Sequence, residues 1–156
     1  MSADYDLKNN QKTTIHITPA TLDADANGVA VDTKDFGSLT FGIYVGVGGI
    51  TFTTTNKVEF TMQESDDNST WTAAPDDALI LDPTAAAPGG TGIVRTLNAA
   101  KAAADTTMAT VGYRGKKRYA RIRAEFGGTH SSGTPMAVVA IQSHPRVRPV
   151  GTVTEN

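Results

Sequence analysis

Asp23-Ala-Asp25-Ala-Asn27-Gly28 is the stretch of this chain whose residue types and spacing come nearest to a built site. Oxygen-bearing side chains at alternate positions can converge on one calcium ion, and a following glycine allows the sharp turn such a loop needs. Asp23, Asp25 and Asn27 are therefore the candidate metal ligands. The pattern then stops: Lys34 occupies the twelfth position, where a bidentate Glu is required, and no helical sequence precedes Asp23. The segment reads better as an Asx-rich connection between strands, and no cofactor is implied.

The other reactive types are similarly incomplete. His16, His130 and His144 are the three histidines. A triad needs one of them beside a nucleophilic Ser and an orienting carboxylate, and no Ser has nucleophile-elbow spacing. His16 alternates with Ile15 and Ile17, which places it toward solvent or an interface; His130 falls in a turn, and His144 precedes Pro145. Asp66-Asp67 and Asp76-Asp77 are adjacent carboxylates, which point apart on a strand and are solvated in a turn, so neither pair suits acid–base work. Gly46-Val-Gly48-Gly49 lacks the third glycine of a dinucleotide fingerprint and runs into strand-like sequence. Gly115-Lys116 is followed by Lys117, where a P-loop has Ser or Thr. The expectation is a protein without catalytic equipment.

One charge feature stands out, Arg114-Gly-Lys116-Lys117-Arg118 continuing to Arg121 and Arg123. The formal net charge of the chain is -2, which leaves little long-range attraction for nucleic acid despite Tyr113 and Tyr119 nearby. Pairing with carboxylates across a sheet or on a partner protein is the favoured reading. Lys116, Lys117, Arg118, Arg121 and Arg123 are thus candidate partner-binding residues, with Tyr5 and Lys8 near one terminus and Arg146 and Arg148 near the other.

The elements that must carry these residues are strands. The chain has 156 residues, 39% hydrophobic and 19% charged, enough for one globular core. It is rich in Thr and Val, whose branched side chains favour pleated sheet, and 15 Gly and seven Pro supply turns. There is no Cys, hence no disulfide or thiolate chemistry. The polar N-terminus lacks the apolar core of a signal peptide and no apolar run could span a membrane, so assembly in a cytoplasm is expected.

Two-residue alternation predicts strands over Thr13–Thr18 (Ile15 and Ile17 sharing a face, Pro19 ending it), Leu39–Val47, Lys57–Glu64 and Arg118–Phe126. Shorter strands are expected at Val29–Val31, Thr70–Thr72, Leu79–Leu81 and Ala109–Tyr113, with Trp71 brought down onto the core. Met136–Ile141 is apolar on both faces, as in a strand covered on both sides. Pro83–Gly92 reads as a loop and Leu97–Ala104 as the one short helix. The fold class is all-β: an antiparallel β-sandwich or small β-barrel, jelly-roll-like, with extended terminal arms. Residues 13–143 form the single domain, with arms at 1–12 and 144–156.

Three blocks carry a family resemblance: Val31-Asp-Thr-Lys-Asp-Phe-Gly-Ser-Leu-Thr-Phe41, Val58-Glu-Phe-Thr-Met-Gln-Glu-Ser-Asp-Asp-Asn-Ser-Thr-Trp71, and Arg118-Tyr-Ala-Arg121 with the apolar strand that ends at His144-Pro-Arg146. Together they resemble the small virion accessory proteins of tailed bacteriophages, the capsid decoration or cement proteins. The resemblance implies a non-enzymatic β-sandwich in the virion, assembled in the host cytoplasm, that binds the major capsid protein as a homo-oligomer (trimer or dimer) and stabilises the head. A tail, neck or baseplate component is the alternative, and a carbohydrate-binding β-sandwich a second one.

Overall fold

Alternating side chains decide which strands face the core. In β4 (Phe36–Val45) Leu39, Phe41, Ile43 and Val45 are buried, while Thr40 and Tyr44 look outward. The same period buries Val58, Phe60 and Met62 of β5 (Lys57–Ser65) and Ala120, Ile122 and Ala124 of β10 (Tyr119–Gly127). It also buries Met136, Val138 and Ala140 of β11 (Thr134–Pro145). Removing each large apolar side chain in this set from water contributes about 1.5–3 kcal/mol, which is what makes the two sheets close on each other.

The computed structural model describes residues 6–100, 109–147 and 150. The remaining elements are β1 (Gln11–Leu22), β2 (Ala26–Asn27), β3 (Val31–Asp32), β6 (Thr72–Ala73), β7 (Leu79–Ile80), β8 (Ile93–Leu97), β9 (Ala109–Tyr113) and the helix α1 (Leu7–Asn10). One sheet has the order β1-β11-β4-β9-β7. The other has β2-β10-β5-β6, with β3 also on β10 and β8 also on β5. All pairings are antiparallel, and the two sheets form a sandwich.

Several details depart from the sequence reading. β1 runs through Pro19 instead of ending there; it is an edge strand, and Pro19 falls within a register shift between Ile17 and Ala20, where a missing N–H costs no ladder bond. A second shift between Ile15 and Ile17 breaks the alternation, so His16 and Ile17 are both buried and Ile15 is 57% exposed. Trp71 is not in the core. The short helix is α1, capped by the Asp6 carboxylate, which accepts from Asn9 N–H. Leu97 ends β8 and 98–100 are not helical, while 101–104 lie outside the described residues. Asp6–Lys12, expected as part of an arm, forms α1 and the start of β1.

The bulge at His16 ties the sheets together. Along the open edge of β10, residues 25–33 run antiparallel as a broken strand: β3 pairs Tyr119 and Ala120, β2 pairs Arg123 and Ala124, and Gly28 N–H donates to the Ile122 carbonyl at 2.9 Å. The Ile122 N–H is left for His16, whose Nε2 accepts it at 2.8 Å from the opposite sheet. The His16 carbonyl also accepts from Val29 N–H at 3.0 Å. Further polar bonds cross between the sheets, among them Tyr113 Oη to Glu64 Oε2 at 2.8 Å, Arg95 Nη1 to the Ile43 carbonyl at 3.1 Å, and Gln142 Nε2 to the Asp32 carbonyl at 2.8 Å.

Only a neutral imidazole can accept at Nε2, and burial pushes the His16 pKa down to about 4. The unfolded chain therefore takes up a proton near pH 6.5 that the folded chain refuses until about pH 4. The stabilisation is full above pH 6.5 and is lost as pH falls toward 4, by roughly 3 kcal/mol in all. Urea midpoints of the native chain should fall more steeply over this range than those of His16→Gln, which keeps an acceptor but does not titrate; equal slopes would contradict the assignment. A Cβ at Gly28 would lie 1.9 Å from His16 Nε2. Gly28→Ala must displace the ring, and denaturation should register a loss of at least about 2 kcal/mol.

Candidate interaction surface

The outer side of the β2-β10-β5-β6 sheet carries Arg118, Arg121 and Arg123 of the predicted basic residues, and it neutralises Arg118 and Arg123 itself. Arg118 grips Asp32 through two nitrogens, Nε to Oδ1 at 3.1 Å and Nη2 to Oδ2 at 2.6 Å. Arg123 reaches Asp25 at 2.7 Å and Glu125 at 3.3 Å, and Lys57 pairs with Glu59 at 2.9 Å. Arg121 makes no ion pair among the described residues; its Nε donates to Gln63 Oε1 at 2.8 Å and its guanidinium lies 4.2 Å above the Trp71 ring. That contact explains why Trp71 is half-buried outside the core, and it covers a ring face that a sugar would need.

Asp25 has a second duty. Its Oδ1 accepts Phe126 N–H at 2.8 Å, closing the last open rung of β10, and this bond with the Arg123 contact holds its carboxyl below the ordinary range. Asp32 is held low chiefly by the Arg118 hydrogen bonds. Asp23 is exposed, Asn27 pairs with Arg123 in the ladder, and no group of three or more His, Asp or Glu gathers for a metal among the described residues. The Asp-x-Asp-x-Asn-Gly spacing thus serves the edge of a strand: Asp25 caps it and Gly28 lets it pass His16.

The adjacent carboxylates also serve turns. Asp67 Oδ1 accepts from Ser69 N–H, Thr70 N–H and Ser65 Oγ, which holds the carboxyl far below its usual value. Asp76 accepts from the Gly89 and Gly90 amides. His130 is buried edge-on against Phe126 with Nε2 2.8 Å from the Gly127 carbonyl, and exposed His144 places Nδ1 3.0 Å from Ser38 Oγ. A cleft of about 420 Å³ beside β1 is lined by Lys12, Asp32, Asp35 and Gln142 among others. Of these, Asp32 is engaged with Arg118, and the Gln142 amide donates to the Asp32 carbonyl.

Lys8, Lys116 and Arg146 are exposed and make no ion pair among the described residues, whereas Lys117 is turned inward to Glu64 and Thr72. Tyr5 and Arg148 lie outside the described residues.

The β1-β11-β4-β9-β7 sheet presents a different outer side. Its register sets Thr13 and Ile15 of β1 beside Ile141 and Val139 of β11, and these beside Thr40 and Gly42 of β4. Ala137 stands beside Tyr44, Thr110 and Gly112 follow on β9, and Ile80 on β7 packs over Gly112. Lys12 of β1 is exposed but shares the side of its register partner Gln142, toward the cleft; no Asp, Glu, Lys or Arg occurs on the outer side of these five strands, where Ile15, Tyr44 and Ile80 are 57%, 41% and 52% exposed. Beside Tyr44 a shallow apolar hollow of about 400 Å³ lies among Pro19, Ala20, Gly46 and Pro135. Sequence reasoning missed this surface, although the signal was there: Met136–Ile141 is apolar on both of its faces.

Searches against protein-family models, curated proteins and solved structures find no match to this chain.

The buried Glu64–Tyr113 pair gives the site region its test of rigidity. The Glu64 side chain is 8% exposed, with Lys117 Nζ 3.7 Å away and the Tyr113 hydroxyl as its close donor. Burial, then the Glu64 carboxylate, raises the Tyr113 pKa well above that of a free phenol. Tyr113→Phe leaves a buried carboxylate short of a donor and should cost about 1–3 kcal/mol in chemical denaturation. An unchanged midpoint would mean that Glu64 does not depend on the hydroxyl.

Proposed function

We propose that this chain is a structural virion protein that decorates the head of a tailed bacteriophage, binding the major capsid protein as a homo-oligomer. The observation that carries this reading is the broad outer sheet side with no charged residue, on a domain whose Asp25, Asp32, Glu64, Asp67 and Asp76 carboxylates are occupied in turns, strand edges and ion pairs. Charge depletion with an exposed aromatic is what the centre of a protein interface looks like. The other sheet side is polar and self-neutralised, and exposed Lys8, Lys116 and Arg146 remain for steering toward acidic patches on a shell. The family resemblance of the blocks between Val31 and Arg146 supplies the identity of that shell.

The mechanism is mechanical. One subunit spans neighbouring capsomers, and many small identical contacts reinforce one another by multivalency. The head so bound resists the internal pressure of packaged DNA. Particles purified from the encoding phage and separated into heads and tails should carry the chain on heads, at a copy number comparable with the major shell subunit by quantitative mass spectrometry. Recovery on tails alone, or absence from particles, would overturn the reading.

A further inference from the structure

β11 is the central observation. Its buried side supplies Met136, Val138 and Ala140 to the core, yet its other side carries Pro135, Ala137, Val139 and Ile141. A strand apolar on both faces belongs in a sheet covered on both faces. Here the sandwich covers only one. The neighbouring strands continue the open surface with Ile15, Tyr44 and Ile80, and none of the five contributes a charge to it.

We propose that a second copy of this chain covers this surface, the two β1-β11-β4-β9-β7 sheets packing face to face about a twofold axis. This rests on the reading given above and deepens it: the charge-free face makes the contact of the homo-oligomer, and the remaining surface, with exposed Lys8, Lys116 and Arg146, is left for the shell. Three observations favour a second copy over a different protein. A twofold axis sets each surface against itself, so a charged surface would oppose like charges; this one has none to oppose. A charge-free face offers no electrostatic handle for choosing a distinct partner, whereas the opposite sheet side carries the charges.

Size is the third. Strands about 4.8 Å apart and residues rising about 3.4 Å along them give this side roughly 600 Å² in projection. Two such faces bury roughly 1,200 Å², above the approximately 1,000 Å² a specific interface needs, while one uncovered is at the upper limit for a lone monomer. The relief is also uneven in a way that can interdigitate. Gly42 and Gly112 have no side chain, while Ile15, Tyr44 and Ile80 stand proud beside the shallow hollow among Pro19, Gly46 and Pro135.

Light scattering on the purified full chain at tens of micromolar should give twice the 16.3 kDa subunit mass. Val139→Lys, on the open side of β11, should raise the dimer dissociation constant at least tenfold with an unchanged far-ultraviolet dichroism spectrum. Thr96→Lys, exposed on β8 of the other sheet, should leave it unchanged. A measurement on the native chain guards against a misfolded variant: a soluble paramagnetic agent should relax the methyls of Ile15 and Ile80, 57% and 52% exposed in the single subunit, far less than those of Val29, which is 62% exposed elsewhere. A subunit mass, or Ile15 and Ile80 relaxed as strongly as Val29, or a dimer that survives Val139→Lys, would overturn the proposal. So would a monomer whose face becomes shielded only on adding phage heads. Because the mass is read on the isolated chain, its result is independent of whether the chain is found on particles.

Discussion

The hydrogen bond from Ile122 N–H to His16 Nε2 is the constraint around which this sandwich is arranged. A sheet edge inside a domain leaves donors and acceptors that water cannot reach, and each one left unpaired costs about 1–3 kcal/mol. β10 solves this with a partner strand broken between β2 and β3, and the missing rung is filled by a side chain from the other sheet. To deliver that side chain, β1 must bulge. The bulge puts His16 and Ile17 inward in succession and so decides that Thr13 and Ile15 fall on the outer surface. The same local irregularity therefore fastens the sheets and sets the register of the face proposed to dock.

Electrostatics divides the molecule's two outer sides. On one, Arg118, Arg123 and Lys57 have carboxylates within reach, and Arg121 is satisfied by Gln63 and Trp71. Such exposed pairs add little stability, typically under about 1 kcal/mol each, but they leave that side nearly neutral in sum and well hydrated. On the other, neutrality arises from the lack of charged residues. Desolvating the first side on binding would mean breaking satisfied ion pairs, whereas desolvating the second removes mostly methyl, ring and hydroxyl groups from water.

Much of this was legible in the sequence. Strict alternation in Leu39–Val45, Val58–Met62 and Ala120–Ala124 reports directly on burial, because a two-residue period has one simple meaning. It failed where another residue intervened in the geometry. Ile15 and Ile17 have the spacing of one face, but an inserted bulge residue is invisible to a periodicity count. Trp71 has the composition of a core residue, and only the position of Arg121 across the sheet explains its place outside. Asp25 looked like a metal ligand because its type and spacing are shared by any segment that must offer oxygens to a row of N–H groups. The basic run at 114–118 was visible, but its counter-ions at Asp32 and Glu64 are distant in sequence, so its internal neutralisation was not.

The tautomer and ionisation of His16 give the most direct test of this arrangement. Nitrogen-15 correlation spectra of the imidazole should show a neutral ring at pH 6, protonated at Nδ1, with a coupling across the hydrogen bond from the Ile122 amide to Nε2. A ring protonated at Nε2, or one that titrates near the ordinary histidine value of about 6.5 with no coupling to Ile122, would contradict it.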